Sequence, residues 1–206
     1  MSSTIHLIRH GTTEGNIKRW YYGNSDIPLL EEGKQLISSL KEAGVYPNVE
    51  SADFYTSGLI RTEETFQLIF GEIEHTIVKE LQEMHFGDFE KHSYEELKEN
   101  KHYLEWIEDT SGNRAPPNGE SKDQFVERVR KGFKKVLDSH RLKELSVRHA
   151  GDEVHSVVVC HGGVISAIMA TYFPDEEKHF FAWLPDLGHG YTLEIIEGNP
   201  VSYTTF

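Results

Sequence analysis

The sequence predicts an α/β fold in three layers, with a mostly parallel central sheet and helices on both of its faces. Two features carry that expectation. Short apolar runs of strand character alternate with amphipathic helical stretches from residue 5 onward. One of these runs, residues 154–160 (VHSVVVC), is almost continuously apolar, as a central strand covered on both faces requires. At 206 residues, with no internal repeat, low-complexity segment or linker, the chain reads as a single domain over 1–206.

The elements follow in order. Residues 5–8 (IHLI) form the first apolar run and stop at Arg9-His10-Gly11. Residues 21–28, with Gly23, Asn24, Ser25 and Pro28, read as a loop. Residues 31–43 read as a helix with Leu36, Ile37 and Leu40 on one face, closed by Gly44. A second strand is expected over 53–56, a helix over 58–70 and a short strand over 76–78. Residues 93–108 are helical by composition and acidic, and the Pro- and Gly-rich stretch 111–120 is a break. Ser121 with Gln124 makes a capping box. The helix it opens carries Phe125, Val129, Phe133, Val136 and Leu137 as one stripe. After the central strand an apolar helix is expected from 164 to 173, then closing strands over 191–196 and 201–205.

Composition bounds the function. The formal net charge of −13 argues against nucleic-acid and anionic-membrane partners, which need a basic surface. No run reaches membrane-spanning length and no signal peptide is visible, which points to a cytoplasmic protein. The lone cysteine, Cys160, follows three valines and reads as a buried structural thiol rather than a nucleophile.

Three expected strand ends carry basic or imidazole groups: Arg9-His10, then Arg61 just past Ser57-Gly58, then His161-Gly162-Gly163. A parallel sheet brings such ends to one edge, where open α/β sheets bind ligands. Two arginines and two histidines there make a site for a dianion, since a guanidinium fork matches phosphate oxygens. Helix N-termini near 58 and 164 would add N–H donors. There is no Walker-type loop or kinase signature. That combination suggests covalent transfer, with His10 as nucleophile, because a neutral imidazole keeps one nitrogen free. A carboxyl group must protonate the leaving alkoxide. The stretch 80–90 offers Glu80, Glu83, Asp88 and Glu90, and the residues alone do not choose among them.

The chain resembles the histidine phosphatase superfamily in its phosphoglycerate-mutase-like branch. The resemblance runs from about residue 5 to 196 and rests on five motifs in order. They are Arg9-His10-Gly11 with Thr13 and Asn16; Arg19, Gly23, Asp26, Pro28 and Leu29; Tyr55-Thr56-Ser57-Gly58-Leu59 with Arg61 and Thr65; Leu81, Glu83, Gly87 and Glu90; and Pro117 to Ser121 followed by His161-Gly162-Gly163. The resemblance implies a phosphoglycerate-mutase-like fold, Glu83 as proton donor, and Asn16 on the phosphate. Departures fall at Tyr22, Leu30, Phe89-Glu90-Lys91 and Ser166, which leave the substrate unassigned; Leu30 also removes a helix cap.

The reading is a phosphatase of small phosphomonoesters working through phosphohistidine on His10, with Glu83 as general acid and base. Arg9, Asn16, Arg61, His161 and Gly162 are expected on the phosphate, and Tyr22 and Gly23 along the substrate. Trp20, Trp106 and Trp183 are expected as packing residues, with Trp20 and Tyr22 the alternative candidates for the mouth of the site. No cofactor and no metal are expected; His85, His92, His149, His155 and His189 lack ligand spacing. The partner is a small-molecule phosphomonoester, and the sequence leaves room for a homodimer. Two alternatives stand beside this. A phosphoglycerate mutase would pass the phosphate to a second hydroxyl, but the resemblance implies a long insertion between the Glu loop and the Pro-x-Gly-Glu-Ser element in mutases, and the short stretch from Glu83 to Pro117 here favours water as acceptor. A silent phospho-ligand-binding regulator conflicts with the intact set His10, Arg61, Glu83 and His161.

Overall fold

The computed structural model describes residues 3–49, 51–146, 153–175 and 177–206, so His149 lies outside the described residues. The elements are β1 (Ser3–Arg9), α1 (Glu14–Ile17), β2 (Trp20–Tyr21), α2 (Glu31–Glu42), β3 (Asp53–Thr56), α3 (Ile60–Phe70) and β4 (Thr76–Ile77). Then come β5 (His92–Ser93), α4 (Tyr94–Leu97), α5 (Lys101–Ile107), α6 (Lys122–Ser146), β6 (Val154–Cys160), α7 (Gly162–Tyr172), β7 (Gly190–Ile196) and β8 (Asn199–Thr205).

The main sheet has six strands in the order β4-β3-β6-β1-β7-β8. The first four run parallel, and β7 and β8 run antiparallel to their neighbours. The expected mostly parallel sheet is therefore present, with an antiparallel edge supplied by the closing strands. β6 lies between β3 and β1, which explains its nearly unbroken apolar character.

Alternation sorts the strand residues to two cores. Ile5, Leu7, Tyr55, Val158 and Cys160 face the α6 stripe (Phe125, Val129, Phe133) and α7. Ile8, Phe54, Val157 and Val159 face Ile37 of α2 and Phe66 and Ile69 of α3. The two layers of helix cover the sheet as expected. A satellite cluster of Phe89, Leu97 and Tyr103 sits under the segment between α3 and α6.

Local chemistry corrects three expected boundaries. The helix expected over 93–108 is split, because the Asn100 side chain accepts from the N–H groups of His102 and Tyr103 and starts α5 afresh. The helix expected from 58 begins at Ile60, with Gly58 at a left-handed φ of 80° that no helix accommodates. The helix expected from 164 begins two residues earlier, at Gly162, directly after His161. Leu30 stands at the N-cap of α2 without a side-chain bond, as its apolar side chain dictates.

Candidate active site

Register assembles the site. β1 and β6 pair in parallel with Arg9 opposite Cys160, so the next residues, His10 and His161, emerge side by side. Their rings lie 5.3 Å apart between centroids, edge to face. β3 pairs with β6 so that Thr56 faces Val159, which brings Ser57 to the same edge. The Ser57 hydroxyl is 2.8 Å from His161 Nε2.

His10 is 4% exposed. Its Nδ1–H donates to the Gly11 carbonyl at 2.7 Å, which fixes the tautomer and leaves the Nε2 lone pair free. Burial, and after it the charges of Arg61 and Arg9, holds its pKa well below the ordinary imidazole range. The ring is therefore neutral at neutral pH.

Glu83 reaches the same cavity. One carboxylate oxygen accepts from the Gly163 N–H at 2.9 Å, the other from its neighbour Met84 at 3.0 Å. Burial raises its pKa and outweighs these bonds and the charges of Arg61 and Arg9. The other acids in this stretch are occupied elsewhere. Glu80 pairs with Lys135 at 2.6 Å. Asp88 is exposed and accepts from Asn118. Glu90 accepts from the N–H groups of Gly23, Asn24, Ser25 and Phe86 and from the Ser25 hydroxyl. Burial raises its pKa, but those bonds win and hold it below the usual carboxylate range. Of the four acids, only Glu83 lines the cavity.

The cavity has a volume of about 650 Å³. Arg9, His10, Asn16, Tyr22, Glu83 and Gly162 lie on its wall, with Trp20 beside them. Arg9 donates to the Pro185 carbonyl through one terminal nitrogen, and its buried Nε has no protein acceptor among the described residues. Asn16 Oδ1 accepts from the Thr13 backbone at 2.9 Å, which starts α1 and turns the amide NH₂ away from that bond.

Arg61 and His161 lie behind this wall, both fully buried. Arg61 donates to the carbonyls of Gly23 and Ser25, each at 2.9 Å, and to His161 Nδ1 at 3.3 Å. Its guanidinium also stacks 5.1 Å over the Tyr22 ring. Two expectations need correction here. Gly23 does not line the cavity. It is a crossing point, where a Cβ would overlap the Met84 carbonyl. The N-terminus of α3 is not open to an anion either, because Asp26 accepts the Ile60 N–H at 2.7 Å. Of the two expected helix N-termini, that of α7 opens on the cavity, through Gly162 and Gly163.

Sequence reasoning missed Arg128. Its guanidinium donates to the carbonyls of Glu80, Gln82 and Glu83 and pairs with Glu120, which in turn accepts the His85 N–H. One side chain of α6 thus holds the loop that carries Glu83. The signal was present: Arg128 stands three residues after Phe125, a charge at the edge of a buried stripe. The aromatic lining from Phe86, Trp106, Phe180 and Phe181 was also missed. Among the described residues, no group of three or more His, Cys, Asp or Glu is placed to hold a metal ion.

A family model described as the histidine phosphatase superfamily, branch 1, matches residues 5–204. The chain is 29% identical to an adenosylcobalamin/alpha-ribazole phosphatase of Salmonella typhimurium, over 94% of this chain and 91% of that one. It is 30% identical to a 2,3-bisphosphoglycerate-dependent phosphoglycerate mutase of Bartonella henselae, over 84% and 91% of the two chains. The fold is similar to the crystal structure of the alpha-ribazole phosphatase from Shigella flexneri, with a TM-score of 0.75 at 25% identity over 95% and 92% of the chains.

Proposed function

The chain belongs to branch 1 of the histidine phosphatase superfamily, and from that premise we propose that its phosphatase activity runs through phosphohistidine on His10 Nε2 with Glu83 moving the protons. The observation that carries this reading is the bond from His10 Nδ1 to Gly11, which leaves Nε2 as the basic nitrogen of a neutral ring.

In the first step the Nε2 lone pair attacks phosphorus and the bond to the ester oxygen breaks. The departing oxygen takes the proton of the Glu83 carboxyl group, which burial keeps available. In the second step the Glu83 carboxylate removes a proton from water, and the resulting hydroxide attacks phosphorus. The P–N bond breaks, its electron pair returns to Nε2, and inorganic phosphate leaves. Charge on the non-bridging oxygens is met by Arg9, by the Asn16 amide and by the α7 N-terminus at Gly162. Arg61 carries five N–H donors and spends three on protein acceptors, so two remain for an oxygen seated on His10. His161, bonded to both Ser57 and Arg61, holds that guanidinium in place.

We take the whole of 1–206 as one functional unit acting on a small phosphomonoester, in the cytoplasm. The test is p-nitrophenyl phosphate in EDTA, with the protein and its His10→Ala variant side by side. Sustained phosphate release that is lost in the variant is expected. No turnover by the intact protein refutes the reading, and isomerisation of 3-phosphoglycerate without net phosphate release would assign the mutase reaction instead.

A further inference from the structure

The steps above use only the floor of the cavity. Its outer lining is mostly aromatic, with Arg19, Asp109, Arg114 and Lys122 also on it. Tyr21, Phe86 and Trp106 pack on one another, with ring centroids 5.4 Å apart for Tyr21 and Phe86, 5.5 Å for Tyr21 and Trp106, and 6.0 Å for Phe86 and Trp106. The buried cluster of Phe89, Leu97 and Tyr103 backs them, so this part of the wall is held rigid. A second part comes from the single turn Phe180–Trp183. Trp183 anchors it at 3% exposed, while Phe181 stands 68% exposed and meets Phe180 edge to face at 5.3 Å.

Phe181 leaves apolar surface in water beside a cavity, and contact with an apolar ligand removes that surface from water. A cavity of about 650 Å³ is also of the size that encloses a ligand well beyond a three-carbon phosphate. A small polar ester placed on His10 leaves the aromatic lining wet and gains nothing from it. An ester with a planar apolar group gains ring–ring contact as well as burial.

We propose that this site selects phosphomonoesters whose alcohol carries a planar aromatic group, which packs against the Tyr21–Phe86–Trp106 wall and covers Phe181. The proposal rests on the phosphatase reading for its chemistry and adds the substrate class. It assigns specificity to residues 21, 86, 106 and 181, none of which touches the reacting atoms.

The test compares phenethyl phosphate, ethyl phosphate and 3-phosphoglycerate. Their leaving alkoxides are of similar basicity, so differences in kcat/KM read recognition of the alcohol. The aromatic ester is expected to exceed both others by about tenfold or more. In Phe181→Ala and in Trp106→Ala the ratio of phenethyl to ethyl ester is expected to fall by roughly 3- to 10-fold. Equal rates for the three esters, or a preference for 3-phosphoglycerate, overturn the proposal, as does an unchanged ratio in both variants. Release of phosphate from none of the esters refutes the phosphatase reading. The substrate class is then decided by calorimetric titration with phenethylphosphonate against ethylphosphonate. Tighter binding of the aromatic phosphonate supports it, and equal binding overturns it.

Discussion

The Glu83 carboxylate and the Gly163 backbone N–H lie 2.9 Å apart, and a Cβ at 163 would overlap that same carboxylate. The proposed proton donor is therefore seated on the first turn of α7, a position only glycine leaves open. The two residues come from segments 80 positions apart in sequence. Substitution Gly163→Ala suits a helix and should leave the fold intact. It should lower kcat on alkyl phosphates by about 10- to 100-fold, part of what a general acid supplies. Steady-state kinetics alongside a thermal melt checks this, and a wild-type kcat in a folded variant contradicts it.

The pH profile follows from two opposed shifts. His10 must be neutral to attack, and burial, helped by Arg61 and Arg9, keeps it neutral into the acid range. Glu83 must be protonated to donate, and burial keeps its proton on above the usual carboxylate range. The kcat/KM profile should fall as pH rises through the Glu83 pKa, which burial raises, and fall again as pH drops through the His10 pKa, which burial lowers. Glu83→Gln should remove the alkaline limb and cost roughly 10²- to 10⁴-fold on alkyl esters. The loss should be smaller for p-nitrophenyl phosphate, whose leaving group needs no proton.

Arg128 positions the acid without touching the substrate. It bridges three carbonyls of the Glu83 loop and the Glu120 carboxylate, a pattern that needs a planar fork. Arg128→Lys should lower kcat by about tenfold while the inhibition constant of inorganic phosphate changes little, since the floor of the site is untouched. Arg130→Lys, at an exposed arginine paired with Glu127, serves as the control and should change neither. Equal effects of the two substitutions would rule out the positioning role.

Buried histidines far from the site set acid stability. His6 is 5% exposed on β1, hydrogen-bonded to Thr4 and Thr192, and burial lowers its pKa from 6.5 to about 4, with His155 and His140 adding to the shift. The unfolded chain binds this proton more tightly than the folded one. The stabilisation is thus complete above pH 6.5 and is lost as pH falls toward 4. That shift corresponds to roughly 3 kcal/mol. Denaturant unfolding at several pH values should show a shallower acid-side slope in His6→Gln, and an unchanged slope would contradict the assignment.

Much of this molecule is written in local pattern. The apolar runs ending at Arg9-His10 and Cys160-His161 mark both strand ends, and parallel pairing then forces the two histidines together. Glu83 could be chosen from its residues only through resemblance, because what separates it from Glu90 is long-range. Glu90 is surrounded by N–H donors from a loop more than 60 positions away, whereas Glu83 meets one N–H from across the chain at the edge of a cavity. The reversed direction of β7 and the aromatic lining share that origin. Phe180 and Phe181 sit in a turn with no periodicity to announce which surface they serve. The break at Asn100 was local, but the capping preference of one asparagine was masked by helix-forming neighbours.

The central claim is that phosphate passes through His10. Rapid mixing with excess p-nitrophenyl phosphate, quenching in alkali, which preserves phosphohistidine, and intact-mass analysis followed by peptide mapping test it directly. The account predicts one phosphoryl group per chain in the early milliseconds, mapped to His10 and absent from His10→Ala. Turnover with no phosphorylated protein at any time, or a phosphoryl group that persists in His10→Ala, would contradict it.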